Sequence, residues 1–327
     1  MALKGAFRLL LLGGLATACT CALAQSEADR YPAKPIHLVS PFPPGGATDL
    51  LARLVARHLS ETWGQPVIVD NRGGANGIIG TELVARASPD GYTLLLNSTS
   101  FSINPSLYKL PYDSIKDFAP VTQLVSIWQV LVVNPEVPAR TVQELIELAR
   151  QRPDALNYAS FGSGSIAQLA GELFKMRAKA PMTHVPYKGL PPALVDLITG
   201  RVQVMFPTLV GEVVPYIKTG KLRGLAVTSS HRLAFVPDLP TMAEAGVSDY
   251  ESVAWVGLFF PAATPRAIVS KLQQEVSRGL QSPAVKGQLE DLGYVVVGST
   301  PEEFQVFVKN EIDKSAAIVK TAGVKAD

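Results

Sequence analysis

Two glycine-rich junctions carry the residues whose types and spacing suggest chemistry. The first, Pro41-Phe42-Pro43-Pro44-Gly45-Gly46-Ala47-Thr48-Asp49, follows the apolar run 36–39 and precedes a periodic helix. A strand that stops at proline and glycine and restarts as a helix directs free backbone N–H groups at one point, where they attract an anion without lysine or arginine. The alternative is a plain tight turn, which needs fewer turn-forming residues. We predict an anion site formed by Phe42, Gly45, Gly46, Ala47, Thr48 and Asp49.

The second junction, Phe161-Gly162-Ser163-Gly164-Ser165, has the same predicted position between a strand and a helix. Ser163 or Ser165 can cap the helix, and both hydroxyls can donate a hydrogen bond to an anion. A simple helix cap is the alternative interpretation. The junction lacks the Gly-x-Ser-x-Gly order of a nucleophile elbow and the Gly-Lys-Ser/Thr of a P-loop. We therefore predict binding residues here, Ser163, Gly164 and Ser165, and no catalytic residue.

Other candidate motifs favour neither a cofactor nor a metal. Gly74, Gly77 and Gly80 lack the Gly-x-Gly pair of a dinucleotide-binding loop, and we interpret 73–80 as a loop closing onto the first unit. The four histidines are far apart in sequence, and no pair has the spacing of metal ligands. A serine–histidine–aspartate triad stays open, because triads assemble in space.

Alternating strands and helices must position these junctions. Strands are predicted over 36–40, 67–69, 92–96, 130–133, 157–160, 184–186, 202–206, 222–227, 254–260 and 294–297. Helices are predicted over 48–63, 79–87, 141–150, 166–178, 191–199 and 213–218, and over most of the chain after Pro265. The order predicts an α/β fold of two units, each with a mixed or parallel sheet flanked by helices and a ligand cleft between them. The first unit would comprise 31–125 plus 253–327, and the second 126–252.

The N-terminus resembles a secretory signal peptide over residues 1–24. Lys4 and Arg8 precede an apolar run, and Ala22-Leu23-Ala24 forms a cleavage site, so we expect a periplasmic protein. An uncleaved anchor and a lipid-modified Cys19 are the alternatives. Cleavage would remove both cysteines and leave 28 basic and 28 acidic residues, with no basic excess to bind nucleic acid.

Together these segments resemble the substrate-binding proteins of the tripartite tricarboxylate transporters, also called Bug receptors. The segments that carry the resemblance are PFPPGGATD (41–49), VIVDNRGGANGIIG (67–80), SPDGYTLLL (88–96), INPSLYKLPYD (103–113), YASFGSGS (158–165), HVPYKG (184–189), GKLRGLAVTS (220–229), PDLPTMAEAG (237–246) and FFPAATP (259–265). They span nearly the whole mature chain in the expected order.

The resemblance implies a two-lobed periplasmic binding protein of type II-like fold. Such a receptor closes on a small carboxylate and delivers it to membrane permease subunits, so we expect a monomer that is not an enzyme and needs no cofactor. The family's two carboxylate-holding loops match 42–49 and 162–165. The kept HVPYKG segment makes Tyr187 a cleft candidate, and Ser98 and Thr208 complete the candidate binding residues.

One departure from the family pattern concerns the ligand class. Many relatives have Met-Phe-Asp where this chain has Met205-Phe206-Pro207. An aspartate there could pair with the amino group of an amino-acid ligand, so its absence favours a mono- or dicarboxylate without an amino group. Two other functions remain alternatives: the same receptor fold with a sensor kinase as its partner, and a secreted hydrolase that uses Ser163 or Ser165.

Overall fold

The computed structural model describes residues 30–153 and 155–325, so the predicted signal peptide and Cys19 lie outside the described residues. The first part of the chain forms β1 (Ile36–Ser40), α1 (Ala47–Trp63), β2 (Val67–Asn71), α2 (Ile78–Ala85), β3 (Thr93–Ser98), α3 (Ser100–Leu107) and β4 (Phe118–Trp128). The middle part forms β5 (Val130–Val133), α4 (Val142–Gln151), β6 (Asn157–Ser160), α5 (Ile166–Ala178), β7 (Thr183–Pro186), α6 (Leu190–Ile198), β8 (Val204–Met205), α7 (Val213–Lys218) and β9 (Arg223–Val227). The last part forms β10 (Val253–Pro261), α8 (Arg266–Leu280), α9 (Pro283–Asp291), β11 (Val295–Val296) and α10 (Pro301–Ala322).

These elements build two mixed sheets flanked by helices, which confirms the predicted fold class. The first sheet has the order β11-β4-β10-β3-β1-β2, and its three strands β2, β1 and β3 are parallel. The second has the order β7-β6-β8-β5-β9, with β7, β6 and β8 parallel. Parallel strands in a sheet end at the same edge, where open α/β sheets bind their ligands. Each sheet therefore has one carboxyl edge at which its loops converge.

Helix α1 shows how the sequence pattern sets the elements. Its buried residues Leu51, Val55 and Leu59 recur at helical spacing and face the first sheet's core. The helix ends at Gly64, which has φ +66° and donates its N–H to the carbonyl of Ser60, as the sequence predicts. The predicted elements are all present, and their ends differ from the observed ends by no more than two residues.

The apolar pattern does not predict β4. Its polar residues Thr122, Gln123 and Ser126 are buried, which breaks the alternation expected of a half-exposed strand. Hydrogen bonds make their burial possible: the Thr122 hydroxyl donates to the carbonyl of Ser299 (2.8 Å), and the Gln123 amide donates to the Ser126 hydroxyl (2.8 Å).

Helix α3 is the other element that the pattern does not predict, because its sequence contains Pro105, three serines and one asparagine. Tertiary contacts hold it in place. It follows directly after β3 of the first sheet, yet its Ile103 belongs to the hydrophobic core around the second sheet. The first sheet's carboxyl edge is therefore in contact with the second sheet's core through α3. Within the described residues, no helix is long and apolar enough to cross a membrane.

Candidate functional site

The N-terminus of α1 is uncapped and open to solvent. Its cap residue Gly46 has an extended backbone (φ −89°, ψ 178°), and no side chain bonds to the first turn. The first helical hydrogen bond runs from the Leu50 N–H to the Gly46 carbonyl (3.0 Å), which leaves the N–H groups of Ala47 and Thr48 outside the helical pattern. Helices α4, α5 and α10 differ, because the side chains of Thr141, Ser165 and Thr300 cap them. The first turn of α1 thus offers free donors to an anion.

Asp49 shapes this junction and does not offer its charge to a ligand. The side chain is 7% exposed, and Oδ2 accepts hydrogen bonds from the Arg53 Nε (2.9 Å) and the Gly45 N–H (3.0 Å). These bonds, the one from Arg53 foremost, lower the Asp49 pKa to about 2. An ionised carboxylate has no donor for an anionic ligand. Asp49 therefore holds Gly45 in its turn, and it neutralises the nearest arginine.

A second loop supports the first from the side. The Asn71 amide donates both to Oδ1 of Asp49 (3.1 Å) and to the carbonyl of Phe42 (3.1 Å). Gly77, at φ +86°, lies so close to Phe42 that a Cβ atom there would be 3.5 Å from the ring. The loop at 73–80 thus closes onto the first unit, as predicted, and does so at the first junction. Phe42 is half-buried between the loop and the junction.

Helix α3 connects this loop to the second junction. Asn104 and Asn76 exchange two hydrogen bonds, one from the Asn76 amide to Asn104 Oδ1 (2.8 Å) and one from the Asn104 amide to the Asn76 carbonyl (3.0 Å). Three residues on, Leu107 lies against Gly164, where an added Cβ would collide with its Cδ1 atom. The fold therefore links the two predicted junctions through one short helix.

At the second junction, polar groups of the loop already form hydrogen bonds with helix α5. Ser165 caps α5 by accepting the N–H of Gln168 (3.4 Å), as one of the two predicted serine roles requires. The Gly164 N–H donates to Oε1 of Gln168 (2.7 Å), so it is not free. Gly162 and Gly164 have φ values of +129° and +72°, which favour glycine. Ser163 is half-buried in this loop and has bonding partners of its own.

The remaining predicted residues also lie at the two carboxyl edges. Ser98 is the last residue of β3, and Thr208 follows β8 and pairs with Gln129 in a short bridge. Tyr187 follows β7, but its hydroxyl donates to Asp196 (2.8 Å). Burial and this carboxylate raise the Tyr187 pKa to about 12, so the hydroxyl stays neutral and engaged.

A serine and a histidine are in contact beneath the second junction, but the hydrogen bond between them runs from the histidine to the serine, opposite to what catalysis requires. Ser160 Oγ lies 2.7 Å from Nε2 of His184, and Gln168 donates to the ring's other nitrogen, Nδ1 (3.2 Å). Because Nδ1 accepts, the neutral ring carries its proton on Nε2 and donates to the serine. A general base would have to accept the serine proton. Ser160 is also fully buried, so this pair does not form a reactive nucleophile.

Sequence reasoning missed the residues that hold the junctions in place. Asn71, Asn76, Asn104, Gln168 and His184 all act through hydrogen bonds to loop backbone or to each other. Their only sequence signal is position: Asn76 lies within a glycine-rich turn, and Asn71 and Gln168 lie on elements that flank such turns. Asn104, on helix α3, has no such signal. Among residues 30–153 and 155–325, no cluster of three or more histidine, cysteine or acidic side chains could hold a metal ion.

Two α/β units with glycine-rich junctions on linked carboxyl edges are typical of periplasmic solute-binding proteins, and this protein has their fold. Residues 51–324 match the family described as the tripartite tricarboxylate transporter family receptor, and the chain belongs to this family. Proteins of this family are periplasmic binding proteins, and this chain is a solute-binding receptor of the same kind.

Three relatives illustrate the similarity. Protein BugT of Bordetella pertussis is 39% identical over 324 residues, which cover 97% of this chain and 98% of BugT. The R. palustris protein Rpa4515, solved with adipate, is 37% identical with a TM-score of 0.77 and covers 91% of this chain and 100% of its own. MatC from Rhodopseudomonas palustris, solved with bound malate, is 34% identical with a TM-score of 0.72 and covers 88% and 100%.

Proposed function

We propose that the protein captures a small mono- or dicarboxylate without an amino group between its lobes and delivers it to a tripartite tricarboxylate-type membrane permease. The observation that carries this proposal is the uncapped N-terminus of α1 at the carboxyl edge of the first sheet. A helix of 17 residues offers both free N–H donors and the positive end of its dipole there. A ligand carboxylate is the complement to both.

The second junction would hold the other end of a dicarboxylate. Its candidate groups are the side-chain hydroxyls of Ser163 and Ser165, which can donate to a carboxylate. The Gly164 N–H is not a candidate, since Gln168 accepts it. The two ends therefore differ: the first binds through backbone donors and the second through side-chain hydroxyls. Phe42 would line the space between them and contact the ligand's carbon chain. Two relatives were solved with the dicarboxylates adipate and malate, which supports a small dicarboxylate as the ligand.

Closure of the lobes would follow from ligand contacts on both sides. The predicted lobes are 31–125 plus 253–327 and 126–252. We propose that the chain crosses to the second lobe at residue 129 instead of 126, because β4 still pairs with β10 through Trp128. The two crossing segments meet where the Ser252 hydroxyl donates to the Gln129 side-chain carbonyl (2.6 Å). A ligand that touches both lobes binds the closed form more tightly and so shifts the population toward it.

The permease is the partner that the family supports, since its members are receptors of a transporter. We expect uptake of the cognate carboxylate to be lost when this gene is deleted and restored by the wild-type gene. Uptake that survives the deletion, together with a lost transcriptional response to the same carboxylate, would instead identify a sensor kinase as the partner.

Pro207 stands where an aspartate could pair with the amino group of a ligand. We therefore predict a preference between two ligands that share a carbon skeleton and differ in the amino group. Malate carries a hydroxyl where aspartate carries an ammonium group. Pro207 lies two residues after β8, and its carbonyl accepts the Val130 N–H (3.0 Å). We expect malate to bind at least about tenfold more tightly than aspartate, because the buried ammonium would lack a charged partner. Isothermal titration calorimetry measures both constants, and tighter binding of aspartate than of malate would overturn the ligand class.

A further inference from the structure

We propose that Gln168 and His184 are positioning residues for the second junction, and that protonation of His184 releases the backbone of Gly164. Both side chains lie behind the loop, on α5 and β7, and neither follows from the general function of the receptor. The inference rests on a continuous series of hydrogen bonds that joins the loop to the histidine ring and returns to the loop.

The series begins and ends on loop backbone. The Gly164 N–H donates to Gln168 Oε1 (2.7 Å), and the Gln168 amide Nε2 donates to His184 Nδ1 (3.2 Å). His184 Nε2 lies 2.7 Å from Ser160 Oγ, and the serine hydroxyl donates to the carbonyl of Gly162 (3.0 Å). Two glycines of the junction are thus held by side chains that the ligand would not touch.

Each bond fixes the direction of the next. The Gly164 N–H can only donate, so the Gln168 carbonyl oxygen must face it and the amide nitrogen must face His184. The ring therefore accepts at Nδ1 and donates from Nε2. The buried Ser160 hydroxyl then accepts a hydrogen bond from the ring and donates one to the carbonyl of Gly162. The series has one consistent arrangement when His184 is neutral.

The ionisable side chains on the neighbouring helices are bonded to partners of their own. Its ring lies 5.0 Å from the ring of Tyr158, whose hydroxyl donates to Glu172 (2.6 Å). Burial is the main cause that raises the Tyr158 pKa far above its ordinary value, so this hydroxyl stays neutral. Glu172 is paired with Lys175 (2.9 Å), both from the same helix α5. Asp196, from α6, is paired with Arg201 and accepts from Tyr187.

Protonation of His184 is incompatible with this arrangement. A protonated ring donates from both nitrogens, so Gln168 must rotate its amide to present the carbonyl oxygen to Nδ1. The rotation places the amide NH₂ opposite the Gly164 N–H, and two donors cannot bond. A buried N–H without an acceptor is costly, so the backbone at Gly164, already at φ +72°, has to rearrange.

Amide hydrogen exchange of Gly164, followed by NMR on the ligand-free protein, tests the proposal directly. We expect its protection, corrected for the intrinsic exchange rate, to fall about tenfold between about pH 7.5 and about pH 5, the window in which histidine titrates. The same spectra should show the Nε2–H tautomer of His184 at the upper pH. Protection of Gly164 that does not change with pH, or an Nδ1–H tautomer, would overturn the proposal.

Variants separate positioning from general stability. In Gln168→Glu a carboxylate can accept from both the Gly164 N–H and a protonated His184, so protection should persist at the lower pH. In His184→Asn the pH dependence should disappear, and in the control His37→Asn, at an exposed histidine of β1, it should remain. Equal pH dependence in His184→Asn and the wild type would contradict the proposal.

A binding measurement connects the series to the ligand and rests on the proposed function. We expect Gln168→Ala to weaken malate binding about tenfold, since a loop that is no longer held in one conformation must be ordered on binding. The exchange experiment needs no ligand. If exchange behaves as expected but no carboxylate binds, the proposed function fails and the positioning role stands; if Gln168→Ala binds malate as the wild type does, the loop's shape does not matter to the ligand and the positioning role fails.

Discussion

Replacing Gly46 with valine is expected to abolish carboxylate binding while leaving the fold intact. Gly46 has φ −89° and ψ 178°, an extended conformation that β-branched residues adopt readily, and a Cβ atom there would meet nothing within 4 Å. The side chain would project into the open space before the first turn of α1. The ligand would lose its approach to at least two charge-assisted hydrogen bonds, so affinity should fall by more than about a hundredfold.

Calorimetry with malate or adipate measures the loss, and a thermal melt checks that the variant folds. Gly287→Val is the matched control, because Gly287 lies on α9, away from both junctions, and also has open space around it. The control should bind as the wild type does. A Gly46→Val protein that binds with unchanged affinity would show that the N-terminus of α1 is not the site.

Asp49→Asn is expected to reduce both the stability of the protein and its affinity for the ligand. The carboxylate accepts from Gly45, Arg53 and Asn71, and the amide cannot accept in the same way from all three. Because Arg53 is more than half exposed, solvent screens part of the ion pair, and we expect a loss of about 1–2 kcal/mol in the free energy of unfolding. Affinity should fall about tenfold, because Gly45 is no longer held in its turn.

The stability effect should depend on pH in a defined direction. The Asp49 pKa is lowered from 3.8 to about 2 in the folded protein, so the carboxylate adds stability above the unfolded value and this contribution is lost as pH falls from about 4 to about 2. The difference in unfolding free energy between wild type and Asp49→Asn, measured by urea denaturation, should therefore shrink across this window.

Glu144→Gln provides the comparison, because Glu144 occupies the equivalent first-turn position of α4 and accepts the Arg140 N–H. We expect the control to leave carboxylate affinity unchanged. A difference between wild type and Asp49→Asn that stays constant from about pH 5 to about pH 2 would contradict the assigned role of Asp49.

The sequence predicts the two junctions because their signals are local. A buried strand, a proline–glycine turn and an apolar helical stripe are all visible within 36–63, and serine after glycine marks the start of α5. Parallel pairing of β1, β2 and β3 then places the loops at one edge without further information. The positions of the predicted residues at the two carboxyl edges follow from this topology.

The sequence does not predict what depends on contacts between distant segments. Helix α3 exists because Asn104 bonds to a loop 28 residues away and Ile103 enters the other sheet's core. Side-chain orientations also depend on tertiary contacts: the Tyr187 hydroxyl donates to Asp196, and the Asp49 carboxylate accepts the Gly45 N–H of its own loop. Local sequence propensity determines neither the formation of α3 nor these side-chain orientations.

A crystal structure of the protein with a bound carboxylate is the most direct test of the proposed site. The ligand would be the one that raises the melting temperature most in a screen of carboxylates, since selective binding to the folded state stabilises it. We predict one carboxylate within hydrogen-bonding distance of the Ala47 and Thr48 N–H groups and the other end of the ligand at residues 162–165. A ligand seated away from both junctions, or a carboxylate held by a lysine or arginine elsewhere, would contradict the proposal.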